Sequence, residues 1–378
     1  MNICLVVRSL TTGGAQVQCV RIAHGLLARG HKVSLVVFYP GGQLVDLAQE
    51  YGVPVYCLNK RSRWNLWAPL RRFVAHCRRE RCDVLYTFLP MENLVGLLVS
   101  RRVGIPVVWS LRIANTDRWQ FGWASGLLYL CQELLLARAA AIISNSRAAL
   151  VEWGLMEGAR VHVIGNGVDV SKFRPNKAHR RSFRASHGLA EEDAAVGIVA
   201  RIDKMKDHAT FLRAAALIAA RKPAVRFIIA GSGPEAYVAE LVDLARKLGI
   251  DRRVLWLGEI TRPEVVYNAL DVAVLSSRAE GLPNVLLEAL ACGVPTVATD
   301  VGDSALVTAG FGRIVPPGSP SQLAEAVLMT IDERPTLVPE DRWLYVCENF
   351  SAEATAEKTE AALAAVLAQS SERRPLRG

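Results

Sequence analysis

The chain has 378 residues, of which 51% are hydrophobic and 21% are charged. A single hydrophobic core stops growing at about 250 to 300 residues, so this length predicts two domains. The composition is ordinary for a soluble α/β protein, so we expect no disorder outside the tail. The formal net charge of +9 is concentrated in the first half, because residues 1–175 hold 21 of the 45 basic residues but only 10 of the 36 acidic ones.

Short apolar runs alternate with amphipathic stretches along the first half, a pattern typical of β-α repeats around a parallel sheet. A first strand at 3–7 precedes a Gly-containing turn and a helix that Gly30 should end. The apolar stretch 122–144 contains Gln132 and Arg138, so it predicts a buried helix and a strand rather than a membrane-spanning helix. The first residues lack the basic region of a secretion signal. Further strands are predicted at 32–38, 53–58, 83–88, 106–110, 141–144 and 160–164.

A second β-α series follows a polar, basic stretch at 172–184, within which we place the domain boundary. The predicted domains are therefore 1–175 and 176–350, both Rossmann-like, and we expect them to face each other across a cleft where a ligand binds. The Ala-rich segment that follows predicts a helix over 351–369, and residues 370–378 form a tail that we expect to be disordered. Strands of the second domain are predicted at 195–200, 226–230, 253–257, 272–275, 295–298 and 312–315.

Eight cysteines are spread along the chain without a Cys-x-x-Cys pair or the spacing of a disulfide framework. Such usage is typical of a protein in a reducing compartment. We therefore expect a cytoplasmic protein without a structural metal site.

Glu280 and Glu288 flank a segment that begins just after the apolar run 272–275. Because ligands of open α/β sheets bind beyond the carboxyl ends of the strands, this segment is a candidate binding loop. Pro283 suits the first helical position, which would put Glu288 one turn inside a helix whose positive end favours phosphate. Two carboxylates beside such a helix suit a ligand with both sugar hydroxyls and phosphate, such as a nucleotide sugar. The alternative is a capping carboxylate and a solvated helix face.

The spacing of Glu280 and Glu288 resembles the Glu-x7-Glu motif of retaining glycosyltransferases with the GT-B fold, in the family 4 group also called glycosyl transferases group 1. The resemblance implies that Glu280 lies beside the donor sugar and that Glu288 binds the ribose. It also implies an α/β fold of two Rossmann-like domains in which the last helix crosses back to the first domain. Donor contacts are implied for four residues of the motif: Gly281, Leu282, Asn284 and Val285.

Two basic residues lie in the loop after the predicted strand 195–200. Arg201 offers a bidentate fork and Lys206 a mobile charge, so both could neutralise a departing diphosphate. Taken alone they could equally be solvated, but the family has an Arg and a Lys at this spacing, and the resemblance implies donor-phosphate roles for both. With two cations on the leaving group a divalent metal is not required, and the chain has no Asp-x-Asp motif. We therefore expect neither a metal nor another cofactor.

Three glycines in two loops are further candidates. Gly14 follows the first strand and opens a helix, where a missing side chain lets the backbone approach a phosphate, and the resemblance implies that this turn faces the donor. Gly231 and Gly233 follow another strand, but their loop lacks the third Gly of a GxGxxG fingerprint, so no dinucleotide site is predicted. The resemblance implies that this loop lies near the donor base. A plain tight turn is the alternative for each loop.

Arg112 follows the predicted strand 106–110, where many members of the family carry a His that holds the transferring sugar. It could bind the donor phosphate or an acceptor phosphate instead, or it could be an ordinary surface Arg. Its role stays open at the level of sequence.

Six of the eight Trp residues fall within residues 1–175, together with the basic excess. Basic residues interleaved with Trp suit an anionic membrane surface or a phosphate-bearing lipid. Nucleic acid is the competing partner, but no recognisable nucleic-acid-binding module accompanies the charge. The stretch 60–81 has apolar residues at helix-like spacing that suit packing on the sheet, and its basic face could touch lipid headgroups.

These features predict a retaining, metal-independent glycosyltransferase of hexosyltransferase type. It would move a sugar from a nucleotide-diphosphate sugar, with UDP as the favoured carrier, to a lipid-linked or cell-envelope glycan at the inner face of the plasma membrane. The alternatives are a GT-B nucleotide-sugar epimerase, which needs no acceptor, and a non-catalytic nucleotide-sugar-binding protein, which would never turn the donor over. A nicotinamide-dependent oxidoreductase would need an intact GxGxxG, which the chain lacks.

Overall fold

The computed structural model describes residues 1–11, 13–61, 67–112, 123–333 and 338–372. The chain folds into two compact units. The first comprises Met1–Gly167 and Ala352–Gly378, and the second comprises Val168–Ser351. Each unit has a parallel β-sheet with one hydrophobic core on each face, which is the arrangement of a Rossmann-like domain. The predicted fold class is confirmed.

The sheet of the first unit has the strand order β3-β2-β1-β4-β5-β6-β7. The order reverses between β1 and β4, which makes their carboxyl ends the topological switch point where such sheets bind ligands. The seven strands are β1 (Asn2–Val7), β2 (Lys32–Val37), β3 (Val55–Cys57), β4 (Val84–Phe88), β5 (Val107–Leu111), β6 (Ala141–Ser144) and β7 (Val161–Val163).

Helices cover both faces of this sheet, and the last helix of the chain packs on the first one. Gly25 makes the close approach possible, because a Cβ there would come 2.5 Å from Cβ of Ala356. The predicted helix and strand within 122–144 are α5 (Trp123–Leu134) and β6. The strand is buried as expected, whereas α5 is not, because it exposes Leu127, Leu130 and Leu134. Among the described residues no helix has both the length and the apolar character needed to span a membrane. The helices are α1 (Gly14–Ala28), α2 (Val45–Glu50), α3 (Trp67–Arg79), α4 (Pro90–Val103), α5 (Trp123–Leu134), α6 (Arg147–Glu152) and, after the second unit, α15 (Ala352–Glu372).

The division between the units falls after Gly167, ahead of the expected position at 175. The Gln18 side chain holds Gly167 on the first unit, accepting from its N–H at 2.8 Å and donating to its carbonyl at 2.9 Å. The next residue, Val168, donates its N–H to the Phe350 carbonyl at 2.8 Å and is buried in a core of the second unit.

The final helix runs to Glu372, so residues 370–372 are helical rather than part of the expected tail. Residues 373–378 of that tail lie outside the described residues.

The sheet of the second unit has the strand order β10-β9-β8-β11-β12-β13, with its reversal between β8 and β11. The strands are β8 (Ala195–Val199), β9 (Arg226–Ala230), β10 (Val254–Gly258), β11 (Val272–Leu275), β12 (Thr296–Thr299) and β13 (Gly312–Val315). The helices are α7 (Lys177–Ser186), α8 (His208–Arg221), α9 (Glu235–Lys247), α10 (Pro263–Ala269), α11 (Asn284–Ala291), α12 (Ser304–Thr308), α13 (Pro320–Glu333) and α14 (Pro339–Phe350). All the predicted strands of both halves are present, with ends that differ by no more than two residues.

Candidate functional site

Lys206 and Glu280 meet at the carboxyl edge of the second sheet. Lys206 lies in the loop after β8 and Glu280 in the loop after β11, and the lysine Nζ donates to Glu280 Oε1 at 2.6 Å. Ser277 Oγ donates to the same oxygen, also at 2.6 Å. The two charged side chains are only 16% and 12% exposed, so water screens their attraction weakly. The structure therefore brings together two of the predicted donor-site residues.

The two loops are tied together through their backbones. Ser276 Oγ donates to the carbonyls of Lys206 and Asp207, at 2.9 and 3.1 Å. The N–H of Arg278 donates to the Met205 carbonyl at 2.8 Å. These bonds fix the backbones that carry Lys206 and Glu280 relative to each other.

Asp207 begins α8 in a left-handed conformation with φ +47°, which is uncommon for a residue other than Gly. Its carboxylate caps the helix by accepting from the N–H and the hydroxyl of Thr210, at 3.2 and 2.9 Å. It also accepts from Nε of Arg278 at 2.9 Å. Three charge-assisted bonds offset the backbone strain and hold Lys206, the preceding residue, in place.

His208 follows the cap and is fully buried, with no hydrogen-bond partner for either ring nitrogen among the residues that the structure describes. Burial lowers the pKa of His208 to about 4, and the charge of Lys206 acts in the same direction. The imidazole is therefore neutral near pH 7. His208 therefore adds no positive charge beside the ion pair of Lys206 and Glu280.

The backbone of the Glu280 loop rests directly on Gly302, a residue that the sequence did not single out. Gly302 has φ +56°, and a Cβ there would lie 2.4 Å from the carbonyl oxygens of both Glu280 and Gly281. The N–H of Asp303 donates to the Gly281 carbonyl at 2.8 Å. Only a glycine at 302 permits this contact.

Glu288 lies in α11, half-buried, and its Oε2 accepts a hydrogen bond from the Tyr267 hydroxyl at 3.3 Å. Tyr267 is 1% exposed, and its burial, reinforced by the charge of Glu288, raises its pKa well above the usual value. The phenol therefore remains a proton donor throughout the neutral range and orients the carboxylate. Tyr267 is a second residue that sequence reasoning missed.

The start of α11 differs from the prediction in one residue. Pro283 is the N-cap, with φ −77° and ψ 96°, and the helix begins at Asn284. The expected first helical position for Pro283 was wrong by one, because its extended ψ keeps it outside the helix. Asn284 and Val285 are partly exposed in the first turn, whereas the Leu282 side chain is 7% exposed in the hydrophobic core, which leaves only its backbone for a ligand.

Arg201 does not join the Lys206–Glu280 pair. Its side chain is 82% exposed, and its Nη2 lies 3.3 Å from Oδ2 of Asp203 in the same loop. A contact this exposed contributes little and leaves the guanidinium free to turn towards an anion.

Gly231 and Gly233 support the Arg201 loop. A Cβ at Gly231 would lie 1.9 Å from the Ala200 carbonyl oxygen, and one at Gly233 would lie 2.0 Å from the Ile202 carbonyl oxygen. The Ile202 N–H donates to the Ser232 carbonyl at 2.8 Å. Close packing between the two loops thus explains why both positions are glycine. The predicted contact of Gly231 and Gly233 with the donor base stays a prediction.

Two predicted site residues belong to the first unit. Gly14 is the first residue of α1, after an extended Gly13. Arg112 follows β5 and donates to Ser110 Oγ at 2.6 Å, Asn166 Oδ1 at 2.6 Å and the Tyr86 hydroxyl at 3.1 Å. These acceptors are all neutral, so they fix the guanidinium without cancelling its charge.

A second group of charged side chains, which the sequence did not single out, gathers at the carboxyl edge of the first sheet. The Arg8 guanidinium carbon and Lys60 Nζ lie 5.8 and 5.7 Å from the centre of the Tyr39 ring. Glu92, at the start of α4, is 2% exposed, and burial raises its pKa to about 7 although the charges of Arg8 and Lys60 act in the opposite direction. Each residue follows a different strand, so only the folded sheet brings them together.

Two family profiles match the chain. One, described as "Glycosyl transferase 4-like domain", covers residues 13–167, and the other, described as "Glycosyl transferases group 1", covers residues 193–333. The chain belongs to the group 1 glycosyltransferases of the GT-B fold. The second profile spans every donor residue predicted in the second unit of this glycosyltransferase-family chain, from Arg201 to Glu288.

The curated proteins to which this chain is similar are named as glycosyltransferases. It is 33% identical to the putative glycosyltransferase EpsF of Bacillus subtilis over 225 residues, which are 57% of each protein. It is 30% identical to D-inositol 3-phosphate glycosyltransferase 2 of Catenulispora acidiphila over 270 residues, which are 66% of this chain and 62% of that protein. The chain thus spans less than two thirds of the length of these relatives.

Solved structures show the same fold. HepE of Anabaena in complex with UDP matches with a TM-score of 0.83 and 22% identity, covering 96% of this chain and 100% of HepE. HepE in complex with UDP-glucose matches with a TM-score of 0.80 at 22% identity, covering 96% and 99%. The lipopolysaccharide outer core galactosyltransferase WaaB matches with a TM-score of 0.72 and 15% identity, covering 96% and 99%.

Proposed function

We propose that this protein is a retaining, metal-independent glycosyltransferase that moves a sugar from a UDP-sugar to a glycan or lipid-linked acceptor. The observation that carries the proposal is the partly buried pair of Lys206 and Glu280 at the carboxyl edge of the second sheet. The HepE complexes with UDP and UDP-glucose, which share the fold, support the choice of donor.

Lys206 and Arg201 would bind the diphosphate of the donor. Lys206 is held by an ion pair that a phosphate can replace, and Arg201 is exposed enough to close on the second phosphate. As the bond between the sugar and the phosphate breaks, negative charge grows on the phosphate oxygens, and two fixed cations stabilise it. This is the role that a divalent metal plays in other transferases, so we propose that none is needed.

Glu288 would bind the ribose hydroxyls through the carboxylate that Tyr267 orients. Glu280 would lie beside the sugar and stabilise positive charge at its anomeric carbon. The acceptor oxygen then bonds to that carbon on the face from which the diphosphate leaves, and its proton passes to the departing phosphate or to Glu280. The configuration at the anomeric carbon is retained.

We place acceptor binding on the first unit, at the group formed by Arg8, Tyr39, Lys60 and Glu92. Lys60 is 6% exposed, and within the described residues neither it nor Arg8 forms an ion pair with a carboxylate. Because burial keeps Glu92 partly protonated near pH 7, its carboxyl balances these cations only in part, and the group suits an anionic ligand. An acceptor that carries phosphate, such as a lipid-linked glycan, fits this group, and Arg112 adds a further fixed charge.

The first unit also presents an apolar surface suited to a membrane. Along α5, large apolar side chains are exposed at helix spacing: Trp123 (76%), Leu127 (49%), Leu130 (41%) and Leu134 (74%). With the basic excess of residues 1–175, this face suits insertion into an anionic interface. We therefore propose peripheral binding at the cytoplasmic face of the membrane.

A donor screen followed by a transfer assay tests the function. Unfolding midpoints are measured with UDP-, GDP- and ADP-sugars, because a ligand at 100 times its dissociation constant adds about 2.7 kcal/mol of stability. The best donor is then incubated with lipid extracts in EDTA, and the new glycosidic bond is assigned by NMR. We expect a UDP-sugar to bind and its anomeric configuration to be kept. Release of nucleotide without an acceptor product, or inverted configuration, would contradict the proposal.

Membrane binding is tested separately by sedimentation with phosphatidylglycerol and phosphatidylcholine vesicles. We expect binding to the anionic vesicles only, and its loss in the variant with Trp123→Ser and Leu134→Ser. Leu217→Ser, which changes a residue of the second unit that is 44% exposed, is the control and should bind as the parent does. Equal binding by all three proteins would exclude α5 as the contact.

A further inference from the structure

Three cysteines that are distant in sequence meet inside the first unit. The Sγ atoms of Cys4, Cys77 and Cys82 all lie within 4.8 Å of one another, and the residues are 0%, 0% and 5% exposed. It is the one group of three or more metal-ligating side chains found within the described ranges. The linear spacing gave no sign of it, because β1, the end of α3 and the turn before β4 each supply one thiol.

The end of α3 itself brings two of the thiols together. The Cys82 N–H donates to the Cys77 carbonyl at 3.0 Å, and the Arg81 N–H donates to the Arg78 carbonyl at 3.2 Å. Arg81 has φ +50°, so the helix ends in the Schellman arrangement, which places the side chains of residues 77 and 82 in contact. An Arg residue in the left-handed conformation costs about 1 kcal/mol or more of folding free energy, whereas a Gly there would cost nothing.

The third thiol, that of Cys4, is positioned by the β-sheet. Cys4 lies in the middle of β1, whose first residue is bonded to the same turn: Asn2 Nδ2 donates to the Arg81 carbonyl at 3.0 Å, and the Asp83 N–H donates to the Asn2 carbonyl at 2.8 Å. β1 and β4 then pair in parallel, with Cys4 opposite Leu85. These hydrogen bonds thus fix the backbone segments that carry all three sulfurs.

We propose that Cys4, Cys77 and Cys82 bind a thiophilic metal ion of the zinc class. Zn–S bonds of about 2.3 Å at tetrahedral angles put sulfurs about 3.8 Å apart, so the cluster needs to contract by no more than about 1 Å. Three soft sulfur donors favour such an ion over Mg²⁺ or Ca²⁺, which prefer oxygen. Binding converts three thiols to thiolates and releases three protons, and no oxidant or reductant takes part.

The surroundings provide access, a fourth ligand and charge balance. Cys77 and Cys82 line a cavity of about 960 Å³ at the amino-terminal edge of the first sheet, which is not the edge where Arg8 and Arg112 lie. Water in this cavity can complete a tetrahedral site. Arg78 and Arg81 line the same cavity, so they offset the net negative charge of three thiolates around a divalent ion.

The alternative is that three cysteines merely pack as small apolar side chains, and metal titration separates the two cases. The full chain is reduced, freed of metal with a chelator and titrated with Cd²⁺, while the ultraviolet thiolate-to-metal charge-transfer band is followed. We expect one equivalent of Cd²⁺ to bind, Zn²⁺ to displace it, and Zn²⁺ to raise the unfolding midpoint. Absence of a saturable band would overturn the proposal.

Matched variants locate the ion. Cys82→Ser should weaken Cd²⁺ binding by at least about tenfold and abolish the effect of Zn²⁺ on the unfolding midpoint. Cys57→Ser removes a partly exposed thiol from β3 of the same sheet and should behave as the parent does. If Cys82→Ser does not fold, X-ray absorption at the zinc edge of the parent protein decides: three sulfur neighbours support the site, and fewer than three overturn it. Donor binding by the second unit is a separate readout, so failure here leaves the proposed transferase function intact.

Discussion

Lys206 Nζ and Glu280 Oε1 are 2.6 Å apart, and the two residues come from loops that follow adjacent strands, β8 and β11. In the proposed mechanism each partner has its own task, since the lysine binds the leaving phosphate and the glutamate lies beside the sugar. Their ion pair holds both side chains in position before the donor arrives. In that mechanism, binding of the donor phosphate would draw Lys206 away and leave the Glu280 carboxylate available to the anomeric carbon.

Glu280→Gln should lower kcat by about 10²- to 10³-fold, because a positioned charge that stabilises the transition state is lost while the shape is kept. The dissociation constant for UDP should stay the same or fall, since Lys206 no longer has a competing carboxylate. Steady-state kinetics and calorimetry measure the two quantities. Glu240→Gln, an exposed acid on α9, is the control, and normal turnover by Glu280→Gln would remove Glu280 from the mechanism.

Lys206→Met should weaken UDP binding and also lower kcat, because in the proposed mechanism the cation contacts both the bound and the departing diphosphate. The double variant with Glu280→Gln should lose less activity than the product of the two single losses, since the residues act as one unit. A double-mutant cycle on kcat/KM gives the coupling. Strictly multiplicative losses would show that the contact between the two side chains has no catalytic consequence.

Tyr267→Phe should weaken donor binding about three- to tenfold with little change in kcat, because the phenol orients Glu288 through one hydrogen bond worth about 1 kcal/mol. Glu288→Gln should have a larger effect on donor affinity, since it removes the carboxylate itself. Nucleotide titration of both variants provides the test. If UDP binds to Glu288→Gln as it does to the parent, the ribose assignment is wrong.

Gly302→Ala should displace the Glu280 loop and lower activity, because its Cβ would overlap two carbonyl oxygens at 2.4 Å. Gly310→Ala is a matched control: Gly310 also has a positive φ, +86°, but a Cβ there would meet nothing within 4 Å. Each variant should lose about 1 kcal/mol of stability from backbone strain, and Gly302→Ala should lose more because the Glu280 loop must move. Only Gly302→Ala should lose most of its transferase activity, and equal activities would show that the carbonyl contact is dispensable.

Glu92 should make stability depend on pH. Burial raises its pKa to about 7, so the folded protein holds this proton between about pH 4.5 and 7 where the unfolded chain has released it. Stability is therefore full below the unfolded pKa and falls as the pH rises through 7, by roughly 3 kcal/mol in all. Glu92→Gln should remove that fall in denaturant titrations at pH 5 and pH 8. An unchanged pH dependence in the variant would assign the effect to other groups.

The sequence by itself determined the secondary structure, and it also determined which strands precede the loops that carry the site residues. Apolar runs of four to six residues are a local property of parallel strands, so all the strands could be predicted, and with them the loops that carry Arg201, Lys206 and Glu280. The family motif added Glu288.

Only the tertiary structure decided which side chains meet. Lys206 on Glu280, Tyr267 on Glu288, Gly302 beneath the Glu280 loop and the Cys4–Cys77–Cys82 cluster all join segments that have no common periodicity. Arg201 and Leu282 were both predicted as donor contacts, but Arg201 is exposed and the Leu282 side chain is buried. This difference was also visible only in the folded structure. Periodicity reports which face of its own element a residue occupies, whereas a contact between two elements depends on how the sheet and helices pack, and that is a property of the whole fold.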